Sequence, residues 1–267
     1  METSISPLAH VHPDAEIGEG CIIAPFAVID GDVKLGKNCR IDSHVIIRDG
    51  ARLGDDCQVF AGAIIATIPQ DLKFSGEYST VEIGNRVTIR EYCTINRGTT
   101  YSNTTYIEDD VLLMAYVHIA HDCIIRRRAI LANTVSLAGH IEIGEQSVIG
   151  GHVAIHQFCR VGKHVMISGG SFVNKDIPPY TMVARTPAQY AGVNHRGLKR
   201  RSFSDEQVAE LQQIYRIIYR SGRNITQALA YIDSELPQSP LRDEVLAFVR
   251  NSPRGICRGY RYMERNG

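Results

Sequence analysis

Residues 17–41 read IGEGCIIAPFAVIDGDVKLGKNCRI, and Ile17, Ile23, Ile29, Leu35 and Ile41 stand six residues apart. Extended outward, the same phase gives 28 slots from Val11 to Val173, of which 25 hold Ile, Leu or Val. Only Asp71, Glu77 and Tyr101 break the series, and they fall in two insertions, roughly 67–82 and 96–106. A period of six fits neither an amphipathic helix nor a plain alternating strand. Two residues before each aliphatic slot comes a small residue, as in Cys21, Ala27, Val33, Cys39 and Val45. Strand side chains alternate, so the two point the same way, inward. The other residues of the hexad make a corner, and Gly opens it at Gly18, Gly36, Gly54, Gly84, Gly144, Gly150 and Gly162. Glycine there suits the φ > 0 a sharp turn requires. Three corners close an 18-residue coil, and coils stack at about 4.8 Å. The expectation is a mainly β chain, a parallel β-helix of hexapeptide repeats.

The prism is expected over residues 1–179 and ends at Pro178-Pro179, because proline cannot donate to a ladder. A connector follows over 180–203. The segment 204–267 reads as a small helical domain, opened by the capping box Ser204-Asp205-Glu206-Gln207 with Val208, Leu211, Ile214, Tyr215 and Ile218 at helical spacing.

Composition narrows the function. The formal charge is zero, which gives no footprint for nucleic acid. No apolar run is long enough to span a membrane, so no stable membrane insertion is expected. Met1–His10 lacks the features of a signal peptide. Six of seven cysteines occupy the small inward slot, and Cys21, Cys39 and Cys57 should stack in successive coils as reduced core residues, which points to the cytoplasm.

Among ten histidines, three are ordered by the repeat. His121, His140 and His156 follow Ile119, Leu137 and Ile155, 18 residues apart, so they belong to one edge of three successive coils. His118 precedes Ile119 and should face outward. Asp122 beside His121 could orient the imidazole and make it a base near neutral pH. A histidine cluster on a β-helix is also a zinc device, and the γ-class carbonic anhydrases resemble this chain in fold. The staggered places of the three histidines argue against that, and no metal is expected. The first insertion offers Asp71 and Lys73, and long loops on a rigid scaffold carry function.

Six stretches carry a closer likeness: Pro69–Lys73, His118–Cys123, Leu137–His140, His156–Cys159, Gly192–Asn194 and Gly197–Arg201. With them the chain resembles the UDP-N-acetylglucosamine acyltransferases that begin lipid A synthesis, from His12-Pro13 through the helical tail. The resemblance implies a left-handed coil, against the usual right-handed crossover. It implies transfer of a long-chain 3-hydroxyacyl group from acyl carrier protein to the 3-hydroxyl of UDP-N-acetylglucosamine. His121 would be the general base, Asp122 its orienting partner and the Gly139 N–H an oxyanion donor. His118, His140, His156 and Gln157 would line the cleft. Asp71 and Lys73 would hold the sugar nucleotide, and Asn194, Arg200 and Arg201 would meet the uridine and diphosphate. Gly169 would stand at the acyl-chain ruler, leaving room for a long chain. No cofactor is implied, since phosphopantetheine arrives on the carrier protein. A homotrimer with sites between prisms is implied, and Arg126-Arg127-Arg128 is a basic corner that could attract the carrier protein. Asn96 and Arg196 depart from a close relative's His and Glu and could bear on a 3-amino acceptor. The other readings are N-acylation of a 3-amino sugar nucleotide, the later N-acyltransferase of the pathway, a metal-dependent enzyme, and a scaffold without activity.

Overall fold

A computed structural model describes residues 2–259, so 260–267 of the expected helical segment lie outside the described residues. The chain forms a left-handed parallel β-helix with three faces. The first face passes through Ile23, Ile41 and Val59, the second through Ile29, Ile47 and Ile65, and the third through Ile17, Leu35 and Leu53. Slot sits on slot in every coil, and the small residues between them are sealed: Cys21, Ala27, Cys39, Val45 and Ala63 have no exposed surface. All seven cysteines are free and buried. Cys21, Cys39 and Cys57 give their thiol protons to carbonyls of Gly36, Gly54 and Gly84, at 3.1, 3.2 and 3.1 Å.

The two insertions explain why the phase survives them. On the second face Ile47 pairs with Ile65, Ile65 with Ile95 and Ile95 with Ile119, spacings of 18, 30 and 24 residues. Each surplus is a whole number of hexads. Both insertions leave the second face, at Thr67 and Asn96, and rejoin the third, at Thr80 and Thr104. They therefore emerge from one edge, the one between the second and third faces.

The corner glycines do something other than expected. Gly18 and Gly36 do not have positive φ. A Cβ on Gly18 would lie 2.3 Å from the Gly36 carbonyl oxygen, and one on Gly36 2.5 Å from the Gly54 carbonyl carbon. The first corner place is small because the next coil presses on it. The left-handed conformation falls two residues later, at Gly20 (φ 74°) but also at Asn38, Asp56, Tyr92, Tyr116, Asp122, His140, Phe158 and His164. Asn and Asp tolerate that conformation, whereas bulky residues there hold strain.

Pro178 and Pro179 do not end the first face, because they lie in a corner outside the ladder. Thr181–Ala184 still pairs in register with Met166–Ile167, and Gln189–Val193 folds back antiparallel on it. The stretch expected as a connector therefore holds two strands and helix α1, His195–Arg200, capped by Asn194. Helices α2 (Asp205–Arg220), α3 (Ile225–Glu235) and α4 (Pro240–Arg250) follow. The capping box at Ser204 is formed, with Gln207 N to Ser204 Oγ at 3.2 Å and Ser204 N to Gln207 Oε1 at 2.9 Å. Val208, Leu211, Ile214, Tyr215 and Ile218 are buried.

Candidate active site

Asp122 holds the fourth place of its hexad, at φ 58° on the edge between the second and third faces. Its side chain is wholly buried, and it meets His121, whose Nδ1 lies 2.7 Å from Asp122 Oδ2. Burial opposes an ionised carboxylate, yet hydrogen bonds from Ser102, Thr99 and His121 outweigh it and hold Asp122 below the usual carboxylate range. An ionised Asp122 fixes the His121 proton on Nδ1 and leaves Nε2 to accept one.

The second insertion supplies the donors. Thr99 N and Oγ1 donate to Asp122 at 3.0 and 2.7 Å, and Ser102 N and Oγ at 3.2 and 2.5 Å. The hexad series contains no signal for either residue. What could have found them is the place of the insertion, one coil before Ile119 on the same edge. Tyr101 of the same loop stands edge-on to His140 at 4.5 Å between ring centroids.

His140 lies one coil on, with Nδ1 3.7 Å from Asp122 Oδ2 and its ring 4.9 Å from that of His121. Phe158, in the same corner place of the next coil, stacks on His140 at 4.3 Å. Burial holds His140 below the usual imidazole range, while Asp122 and Asp71 pull it back up and His121 pushes it down. Asp71 belongs to the first insertion, which therefore lies close enough to act on His140. Gly139 lies directly under His121: a Cβ there would be 2.5 Å from His121 Cε1 and 2.7 Å from Nε2. Among the described residues, the Gly139 N–H reaches no backbone carbonyl.

His118 points outward from the second face as expected, with Nδ1 2.7 Å from Thr94 Oγ1 and burial lowering its pKa. His156 and Gln157 are exposed on the same edge, His156 Nδ1 lying 3.1 Å from the Gln157 carbonyl. Lys73 is exposed, and its N–H donates to Asp71 Oδ1 at 3.0 Å.

Other expected site residues lie elsewhere on the single prism. Asn194 caps α1, accepting from Gly197 N at 3.2 Å and donating to the His164 carbonyl at 2.8 Å. Arg201 donates to the Gln146 carbonyl at 2.7 Å, and burial lowers its pKa. Both are anchored to the edge between the third and first faces, and Arg200 is exposed beside them. Gly169 is exposed on the remaining edge, where a Cβ would lie 3.1 Å from the Gly151 carbonyl oxygen. Asn96 is buried and donates to Thr67 Oγ1 and the Ile68 carbonyl at 2.7 and 3.0 Å, pinning the base of the first insertion. Arg196 is exposed on α1. The basic corner is largely neutralised: Arg126 pairs with Glu108 and Glu142 at 2.9 and 2.8 Å, and Arg128 with Asp110 at 3.9 Å.

Among the described residues, His121, Asp122 and His140 bring one donor atom each within 4.8 Å of one another, a spacing a metal ion could use. The chemistry of the carboxylate opposes it. Asp122 already accepts five hydrogen bonds, and a metal would have to displace His121 from it. What the arrangement offers instead is an oriented imidazole base beside an available backbone N–H.

Comparison with known proteins points the same way. Residues 176–257 match the family model described as Udp N-acetylglucosamine O-acyltransferase, Domain 2, and residues 2–31 match Bacterial transferase hexapeptide (six repeats). The acyl-(acyl-carrier-protein)–UDP-N-acetylglucosamine O-acyltransferase of Thermodesulfovibrio yellowstonii is 47% identical over 71% of this chain and 74% of its own length. That of Thiobacillus denitrificans is 40% identical over the same shares, 71% and 74%. The crystal structure of a UDP-N-acetylglucosamine acyltransferase from Bacteroides fragilis superposes with a TM-score of 0.94, at 48% identity over 95% of this chain and all of that one. Likeness of this extent runs through prism and helical tail alike, and this chain belongs to the UDP-N-acetylglucosamine O-acyltransferase family.

Proposed function

We propose that this enzyme moves a long-chain 3-hydroxyacyl group from acyl carrier protein to the 3-hydroxyl of UDP-N-acetylglucosamine, with His121 as general base. The observation that carries the assignment of the base is the 2.7 Å contact between His121 Nδ1 and buried Asp122, which leaves Nε2 free for the substrate proton. In the first step Nε2 takes the hydroxyl proton as the sugar oxygen bonds to the thioester carbon. The carbonyl oxygen becomes an oxyanion, placed to receive the Gly139 N–H. In the second step the C–S bond breaks, and the imidazolium returns its proton to the departing thiolate. His140, His118, His156, Gln157, Asp71 and Lys73 line the approach. No cofactor is needed beyond the phosphopantetheine of the carrier protein.

The outer faces support a trimer of this chain. The third face is mostly charged, with Glu16, Lys34, Arg52, Glu82, Glu142 and Arg160 outward, interrupted by Tyr106 and Ile124. The first face carries outward Leu112, Ile130, Val148, Met166 and Met182. The second carries Val28, Ile46 and Ile64 in its early coils and Thr94, His118 and Ser136 in later ones. A closed ring in which the first face of one copy meets the second face of the next covers the apolar stretches of both and leaves the mostly charged face in water. That ring brings the His121 edge of one copy against the neighbour's edge that holds Asn194, Arg200 and Arg201. A diphosphate could then be held by one copy while its sugar meets the base of the other. Gly169, on the edge nearest the axis, would close the far side of the same groove and leave room for a long acyl chain. Among the described residues no helix is long and apolar enough to cross a membrane, and the reduced thiols fit the cytoplasm.

The test is transfer of a long 3-hydroxyacyl group from acyl carrier protein to UDP-N-acetylglucosamine by the full chain. Product is expected; a wild-type protein that acylates only a 3-amino sugar nucleotide would overturn the assignment of the acceptor.

A further inference from the structure

We propose that Thr99 and Ser102 are positioning residues, and that the second insertion serves to hold the Asp122 carboxylate in one orientation against His121. This rests on the reaction proposed above. The left-handed corner conformation recurs around the prism, and the acidic residues that adopt it are Asp56, Asp110 and Asp122. Asp110 is part-exposed and pairs with Arg86 at 2.6 Å. Asp122 alone of these is sealed from water, and no Lys or Arg answers it among the described residues. A buried carboxylate without partners would take up a proton. Here it keeps its charge through uncharged donors, and four of its five hydrogen bonds come from Thr99 and Ser102.

The division of labour is specific. The Ser102 hydroxyl and both loop N–H groups fasten Oδ1, while the Thr99 hydroxyl shares Oδ2 with His121 Nδ1. Oδ2 therefore has one direction left in which to face the imidazole. The titratable groups around the carboxylate are His121, His140 at 3.7 Å, the buried Cys123 thiol and, beyond His140, Asp71. The loop is itself braced from the first insertion, where Glu77 accepts from Thr100 N at 3.3 Å. A carboxylate that loses these donors has only the His121 contact left against burial. It then protonates at higher pH, and His121 loses both its orientation and its fixed tautomer.

The experiment compares Thr99→Val, Ser102→Ala and their double variant with Thr99→Ser, which keeps the hydroxyl. The expected result is a fall in kcat on the order of tenfold to a hundredfold in the double variant with KM unchanged, since the base is misplaced while the cleft is intact. The acid limb of the kcat/KM profile should move to higher pH in each hydroxyl-deleting variant, and Thr99→Ser should restore it. An unmoved acid limb in a folded double variant overturns the proposal, as does a loss that appears in KM alone. Where Thr99→Val fails to fold, Ser102→Ala decides the matter by the same limb. A readout without substrate separates this idea from the assigned reaction. In protein carrying 13C-carboxyl aspartate, the Asp122 resonance, identified by its loss in Asp122→Asn, should titrate at higher pH in Ser102→Ala than in wild type. An unshifted titration overturns the proposal even if the enzyme acts on another sugar.

Discussion

Two histidines occupy the same place in the hexad, and burial lowers both, but the charges around them pull in opposite directions. His140 stacks on Phe158, one coil on, at 4.3 Å, and His164 stacks on Tyr180, one coil on, at 5.6 Å. Both are in the left-handed conformation, and both bury Nδ1 without a hydrogen-bond partner. The difference lies in what else approaches. His140 has the Asp122 carboxylate 3.7 Å away and Asp71 beyond, both favouring its charged form. His164 is roofed by Phe203, burial pushes its pKa down, and Arg201 and Lys163 add to that, taking it to about 4. The repeat thus places and buries an imidazole; neighbouring charge decides how far burial disfavours its proton. One edge became a reaction site and the other a joint with the helical tail.

The largest effect that could break this contrast is on activity. His121→Ala should lower kcat by roughly 10²–10⁴-fold, the worth of a positioned base, with the thermal midpoint kept. His164→Phe should leave transfer near wild type, because it keeps the ring stack on Tyr180 and deletes no hydrogen bond. Comparable losses in both would mean that the two edges are not chemically distinct.

The next effect is steric. Gly139→Ala places a methyl 2.5 Å from His121 Cε1, where real contacts do not occur, so the ring must move. A displacement of that order costs on the order of a hundredfold in kcat. Gly169→Leu brings its Cβ against Gly151, 3.1 Å from the carbonyl oxygen, and should keep the reaction while shortening the acyl chain used best. Measuring kcat against a series of 3-hydroxyacyl chains separates the two: Gly139→Ala should lower every chain equally, and Gly169→Leu should reorder them.

How much of this was legible follows from how each feature is coded. The core is coded locally, each hexad repeating its own inward pair, so Ile119, Leu137 and Ile155 could be placed on one face by counting. His121 and His140 followed because a corner position is fixed by its slot. Thr99, Ser102 and Tyr101 were not legible, because a loop outside the hexads takes its path from tertiary contact. The corner glycines misled for a related reason. Gly36 is small on account of Gly54 in the next coil, a neighbour 18 residues away, and not on account of its own backbone angles. Asn194 and Arg201 were read through their likeness to a nucleotide site, whereas in the single chain their side chains fasten α1 to the prism. That anchoring is compatible with binding only if the exposed Arg200 and the neighbouring edge do more of it.

Mixed assemblies sharpen the point. If the His121 edge of one copy works with the α1 edge of the next, His121→Ala and Arg200→Ala protomers damage different halves of a site. Unfolded and refolded together in equal amounts, they should regain about a quarter of wild-type activity, the share of contacts at which two intact edges meet in a closed ring. Mixing without recovery would place all catalytic and binding residues in one copy.

The smallest effect is on stability, where His164 carries the larger shift of the two histidines. His164 has an ordinary imidazole value near 6.5 when unfolded and one of about 4 in the fold. Between those values the unfolded chain binds more protons, so unfolding free energy rises with pH across that window. The contribution is complete above about 6.5 and is lost as pH falls toward 4. Asp122 acts lower: its folded value lies below the ordinary carboxylate range, so its contribution is present above about 3.9 and lost as pH falls through the folded value. Urea unfolding from pH 4 to 7 should therefore show a slope that His164→Phe reduces, with buried His118 and His140 supplying a remainder of the same sign. A slope left undiminished by His164→Phe would mean that the joint is not where the proton is refused, and that the contrast between the two stacked histidines is one of position only.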